Sequence, residues 1–329
     1  MRILTVNRTP YEKGAHQGGD ETQRKMLRQH LPPDVEVIHC HNVDWRREQF
    51  QIVHAFNIIL QEADQAAQIA KERGVPLVIQ TIHSPGIFFI SRERCAEIAL
   101  QARFLFINIH REPFELAYDL GLPADVLEAK SIWIPTGAPA DWYLAQPDYG
   151  VVPREPYVIL AARYEDRKAQ DKFLQAMVDA DLKLPIYCIG DCRHPVYARC
   201  EQIAEGRPWI HLLGARPHSE IMHWFAGAAV SVLPTHYDNP GLTNLEAGIT
   251  GCEVVTTEIP AIQEYLGDYA HYGRAGYPET HVAAVRTAWE VAMSRWPRRN
   301  EPLARHIRDN FTWERAGKLL YDAYQKTLH

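Results

Sequence analysis

Short apolar runs alternate with amphipathic stretches along the whole chain, and this alternation leaves few architectures open. In the first half the runs fall at 2–7, 35–40, 51–55, 77–82, 104–109 and 131–134. In the second half they fall at 157–161, 185–189, 209–213, 229–233 and 253–256. Runs that are short and apolar throughout suit strands buried on both faces of a parallel sheet. Between them, IILQEADQAAQIAKER (58–73) repeats its apolar positions at intervals of three and four, and Gly74 follows as a C-cap, so a helix is expected there. At 329 residues the chain is too long for one ordinary domain. The expectation is therefore α/β: two Rossmann-like, doubly wound parallel sheets, each with its own core.

The stretch PTGAPADWYLAQPDYGVVPREP (135–156) is dense in Pro and Gly and has no sustained period. It places the domains at 1–145 and 157–310, with a linker at 146–156 and a terminal helical segment at 311–329. Hydrophobic residues make up 46% and charged residues 23%, ordinary for a soluble globular protein, and no apolar run nears the roughly 18 residues of a membrane span. MRILTVN enters a strand at once, without the regions of a secretory signal, so a cytoplasmic protein is expected. A net charge of −6 argues against a nucleic-acid partner. The six cysteines are scattered and read as reduced core residues. Cys188, Cys192, His194 and Cys200 have no common zinc spacing, and no metal site is expected.

The most informative segment for function is DNPGLTNLEAGITG (238–251). AVSVLPT (229–235) before it reads as a buried strand, and LTNLEAGI within it as a helix start. The Pro-Gly break then lies at a strand's carboxyl end, where open α/β sheets bind ligands and a helix N-terminus favours anions. Asp238 and Glu246 flank it, placed to reach two parts of one elongated ligand such as a nucleoside diphosphate sugar. Arg163 and Lys168 follow the strand-like VILAA and are placed to neutralise a diphosphate. Gly18 and Gly19 precede a helix-like stretch, and Gly190 ends a strand in YCIGDC.

These residues carry a family resemblance. DNPGLTNLEAGITGCEVV resembles, in register, the EGFGLxxLEAxxxGxPVV signature of family 4 retaining glycosyltransferases, which have the GT-B fold. Asp238 stands at the first acid and Glu246 at the second, while Asp replaces Glu and Pro240 replaces the usual Phe. Further segments are similar in order: QGGDET (17–22), PLVIQTIHSP (76–85), IWIPTGAP (132–139), VILAARYEDRKAQDKFLQAM (158–177) and FTWERAGKLLYDAY (311–324).

The resemblance implies a transferase that moves a hexose-like sugar from a nucleoside diphosphate to an acceptor hydroxyl with retention, using no cofactor or metal. Donor contacts are implied for Gly18, Gly19, Gly190, Arg163, Lys168, Asp238, Gly241, Leu242 and Glu246. Asp238 would touch the sugar, Glu246 the ribose, and His83 would position the reacting sugar. His110, with Arg111 and Glu112, either shapes the acceptor pocket or starts an exposed helix; Glu264 matches a recurrent family acid. The implied acceptor is a saccharide or lipid-linked precursor, and the implied course of the last helix is back onto the first domain. Rival readings are a sugar-nucleotide-binding protein without turnover and a transferase acting on a modified nucleic-acid base. A nicotinamide-linked oxidoreductase would need a G-x-G-x-x-G turn that TVNRTPYEKGAHQGG lacks.

Overall fold

The computed structural model describes residues 1–6, 19–83, 85–297 and 299–329. Contacts divide them into two units, Met1–Thr136 with Trp313–His329, and Gly137–Thr312. In the first unit β1 (Arg2–Val6), β2 (Glu36–His39), β3 (Ile52–Phe56), β4 (Leu77–Gln80), β5 (Phe104–Ile107) and β6 (Ser131–Trp133) pair in the order β2-β1-β3-β4-β5-β6, all parallel. The crossovers are α1 (Gly19–Gln29), α2 (Gln61–Arg73), α3 (Arg92–Gln101), α4 (Glu112–Leu120) and α5 (Ala124–Glu128). Every residue of β3 and β4 is buried, which is why these strands read as unbroken apolar runs. α2 turns Ala63, Ala66, Ala67, Ile69 and Ala70 inward and ends at Gly74, in the left-handed region at φ 65°.

In the second unit β7 (Val158–Ala161), β8 (Ile186–Ile189), β9 (Ile210–Gly214), β10 (Val230–Leu233), β11 (Glu253–Thr257) and β12 (His271–Gly273) pair in the order β12-β11-β10-β7-β8-β9, again all parallel. Its helices are α6 (Gln170–Asp179), α7 (Val196–Ala204), α8 (His218–Gly227), α9 (Leu242–Ile249), α10 (Pro260–Leu266), α11 (Pro278–Arg295) and α12 (Glu301–Asn310). The chain then returns to the first unit as α13 (Trp313–Leu328). Where it leaves the second unit it runs beside the place where it entered: Ala138 N–H donates to the Phe311 carbonyl at 2.9 Å, and Ala138 bridges Thr312. Among the described residues no helix is long and apolar enough to cross a membrane.

The structure differs from the sequence reading in two places. The division falls at Thr136/Gly137, so residues 137–156 belong to the second unit instead of completing the first domain and a linker. Trp142 and Val152 are buried, and Leu144 N–H donates to Ile249 at 3.0 Å. Pro and Gly density there marks irregular backbone, not an absence of packing. The edge strand β12 was not anticipated, because HYG is too short and polar to stand out.

α13 is fixed to its sheet by a buried polar pair. The Tyr324 hydroxyl and His54 Nδ1 share a hydrogen bond at 2.7 Å, and the His54 ring stacks on Phe56 with centroids 4.3 Å apart. Burial holds the imidazole at about 3, far below its ordinary 6.5. Between those values the unfolded chain binds the extra proton, so this contribution is intact above pH 6.5 and is lost as pH falls toward 3. About 2 kcal/mol should go between pH 6.5 and 5. Urea unfolding followed through the first unit checks this; His54→Gln, whose amide can either donate to or accept from Tyr324, should flatten the dependence.

Candidate functional site

The order of the second sheet reverses at β7, since β8 and β9 continue on one side of it and β10 and β11 on the other. The crevice beyond the carboxyl ends of the two strands flanking such a reversal is where doubly wound sheets take ligands. The loop after β7 carries Arg163, Arg167 and Lys168, and the loop after β10 carries Asp238. The loops are sewn together by hydrogen bonds to backbone carbonyls. His236 N–H donates to the Arg167 carbonyl at 2.7 Å, Thr235 Oγ1 donates to it at 3.1 Å, and Arg167 Nη1 donates to the Tyr237 carbonyl at 3.2 Å.

Within this framework the Lys168 ammonium is buried and bound directly to Asp238 Oδ2. Arg167 Nη1 lies 3.5 Å from Asp238 Oδ1 and its Nε 2.8 Å from Glu165, which also takes Arg163 Nη2 at 3.0 Å. Three cations thus share two carboxylates, leaving one net positive charge. Burial pushes the Asp238 carboxyl up, but Lys168 and Arg167 outweigh it and hold the acid below its ordinary range. For Lys168 burial is the larger influence and lowers the ammonium despite Asp238. Asp238 also holds Arg167 above its ordinary value in spite of burial. Arg167 was missed in the sequence, where it is one more charge in YEDRKAQD.

α9 begins directly against this cluster. Gly241 precedes it at φ 85°, and a Cβ there would sit 3.0 Å from Asp238 Oδ2, so both the backbone angle and the space require glycine. Leu242 is the first residue of the helix, and Thr243 Oγ1 donates to the Ala161 carbonyl at the end of β7 at 3.0 Å. Glu246, one turn in, is buried; its Oε1 lies 2.8 Å from His218 Nε2 at the start of α8. Trp142 packs on that imidazole with ring centroids 5.0 Å apart. His218 lies 28 residues from Glu246 in sequence, and no spacing rule joins them.

Gly190 sits at the end of β8 for a reason of space. A Cβ would lie 1.9 Å from the Ala162 carbonyl oxygen, so the bare backbone lets the Arg163 loop cross close by. Gly19 opens α1 with nothing within 4 Å of an added Cβ, and Gly18 lies outside the described residues. Glu264 is half-buried in α10. Among the described residues the six cysteines form no disulfide, and no three His, Cys, Asp or Glu are placed to hold a metal ion.

In the first unit His83 follows β4 and is buried, its Nε2 3.1 Å from Asp119 Oδ2. Burial lowers the imidazole below its ordinary value and Asp119 opposes that shift. Glu112, expected near an acceptor pocket or at an exposed helix start, is fully buried at the start of α4. It accepts from Thr81 Oγ1, His83 N–H and Asn108 N–H at 2.6, 2.7 and 2.8 Å. Burial pushes this carboxyl up against the pull of those donors. His110 is exposed and stacks on Trp133 at 5.0 Å.

Comparison with known proteins bears on the fold. Over 195 residues the chain is 23% identical to the D-inositol 3-phosphate glycosyltransferase of Paenarthrobacter aurescens (strain TC1), covering 54% of this chain and 46% of that protein. The chain thus spans about half the length of this curated relative. The Anabaena protein HepE, solved with UDP and with UDP-glucose, superposes with a TM-score of 0.76 over 99% of this chain and 100% of its own at 16% identity. Sucrose-phosphate synthase from Thermosynechococcus elongatus gives 0.69 over 93% and 78% at 14% identity. The fold is therefore GT-B, as expected from the sequence. Residues 155–290 match the family described as Glycosyl transferases group 1, and this stretch holds Arg163, Arg167, Lys168, Gly190, Asp238, Gly241, Leu242 and Glu246.

Proposed function

We propose that this protein is a cytoplasmic retaining glycosyltransferase that moves a sugar from a nucleoside diphosphate to a hydroxyl of a saccharide or glycolipid precursor. The observation that carries the reading is the cation cluster of Arg163, Arg167 and Lys168 at the sheet reversal, facing Asp238 and the N-terminus of α9. The group 1 match supports it, and the HepE complexes make UDP-glucose the first donor to test. As the sugar–phosphate bond breaks, negative charge grows on the leaving diphosphate, and the cations with the α9 N–H groups stabilise it. Glu246 holds the ribose and Asp238 the sugar. The acceptor oxygen bonds to the anomeric carbon on the face the diphosphate leaves, and its proton passes to the departing phosphate oxygen. His83 orients the reacting sugar.

The two acids should fail differently. Glu246→Ala is expected to weaken both UDP and UDP-glucose by roughly 1.5–3 kcal/mol, because both contain the ribose. Asp238→Asn, which keeps the shape around Lys168, should leave UDP affinity nearly intact and impair transfer. Titration calorimetry with each nucleotide makes the comparison, and loss of UDP binding in folded Asp238→Asn alone would overturn the register of the motif. Because side-chain cations face the diphosphate, turnover should also survive EDTA. A collapse restored by magnesium or manganese would count against that role.

A further inference from the structure

The segment that carries His83 is held in a conformation its own sequence disfavours. Ile82 lies at φ 44°, in the left-handed region where a β-branched residue is rare and the backbone stores energy. Such a residue persists only where its surroundings over-determine it. Here the residues on either side are gripped by one oxygen: Glu112 Oε1 accepts the Thr81 hydroxyl and the His83 N–H, while Oε2 anchors Asn108 after the neighbouring strand β5. Two helical turns further along α4, Asp119 Oδ2 accepts Gly86 N–H at 2.7 Å and meets His83 Nε2 at 3.1 Å. The two carboxylates therefore grip Thr81, His83 and Gly86, with Glu112 on the His83 backbone and Asp119 on its ring. Thr81, Asn108 and Glu112 are buried, and Asn108 Oδ1 accepts from Gln80 and Gln23 at 2.8 and 2.7 Å, so the grip is itself braced.

We propose that Glu112 and Asp119 are positioning residues for the proposed transfer: Glu112 keeps the Thr81–His83 backbone in its strained turn, and Asp119 fixes the orientation and tautomer of His83. This rests on the reading of His83 given above. A carboxylate facing Nε2 selects the imidazole form with its proton on that nitrogen and makes Nδ1 the accepting nitrogen. Strain maintained around one ring is what pre-organisation requires, since small misplacements of a reacting group are costly to rate.

The test compares wild type, Glu112→Gln, Asp119→Asn and Glu112→Gln combined with Ile82→Gly. UDP calorimetry, thermal melting and release of UDP from UDP-glucose are measured on each, together with the nitrogen shifts of His83, assigned through His83→Gln. Both single variants should bind UDP as wild type does and lose about 10²-fold in kcat with KM for UDP-glucose little changed. Ile82→Gly should restore much of the turnover lost in Glu112→Gln, because glycine adopts the turn without strain. A role in stability alone would lower the melting temperature and leave kcat of the folded enzyme unchanged. In wild type the proton should sit on Nε2, and Asp119→Asn should mix the tautomers. Wild-type kcat in both folded single variants would overturn the proposal. If wild type fails to bind UDP or to turn over UDP-glucose, the functional reading is what fails. The nitrogen shifts then decide the positioning, and identical His83 shifts in all variants would sink it.

Discussion

Lys168→Met is expected to lower turnover by about 10²–10³-fold, the usual loss when one preorganised charge is taken from a developing anion. It should also destabilise the second unit, because Asp238 is buried and Lys168 is bound to it. Removing one member of such a pair typically costs about 3–5 kcal/mol. Arg167, 3.5 Å from the other Asp238 oxygen, should hold the loss to the lower end. Adding Asp238→Leu should return much of the stability without returning activity. Urea midpoints and UDP-glucose kinetics on the two variants separate the effects. Recovery of turnover in the double variant would show that the cations do not act on the diphosphate.

Gly190→Ala should be the most damaging single methyl group in the second unit. Its Cβ would meet the Ala162 carbonyl oxygen at 1.9 Å and the carbonyl carbon at 2.9 Å, and neither is a flexible side chain that could move aside. The backbone on both sides is committed: Ala162 N–H donates to Ile189 at 2.9 Å, and Gly190 N–H donates to Gly214 at 3.1 Å. Relief requires breaking the β7–β8 ladder or shifting the Arg163 loop. The expected loss is about 3 kcal/mol or more, at the upper end for overpacking, with UDP affinity reduced in whatever remains folded. A wild-type urea midpoint would refute the close approach.

The strand pattern was legible because parallel strands buried on both faces leave contiguous apolar runs, as in the LVIQ of β4. The motif from Asp238 to Glu246 was legible because its parts are local: a strand end, a turn and one helical turn. What the sequence concealed are partnerships formed by tertiary approach. Glu112 reads as part of an acceptor pocket or of an exposed helix start, yet its ligands include Thr81, 31 residues away, and nothing in the intervening chain encodes their meeting. His218 at Glu246 and Arg167 beside Asp238 were hidden for the same reason. The irregular stretch 137–156 misled in the opposite direction, because it packs without forming regular elements.

The adjacent chain crossings at Ala138 and Thr312 make the second unit, topologically, an insertion within the first. Its ends emerge side by side, so residues 137–312 can be excised as one continuous gene segment. The remaining pieces can be rejoined by a short glycine tether from Thr136 to Trp313. A simple truncation after Thr136 would instead strip away α13 and leave His54 without Tyr324. Separate expression of the two halves should therefore respect the insertion and not the midpoint of the chain.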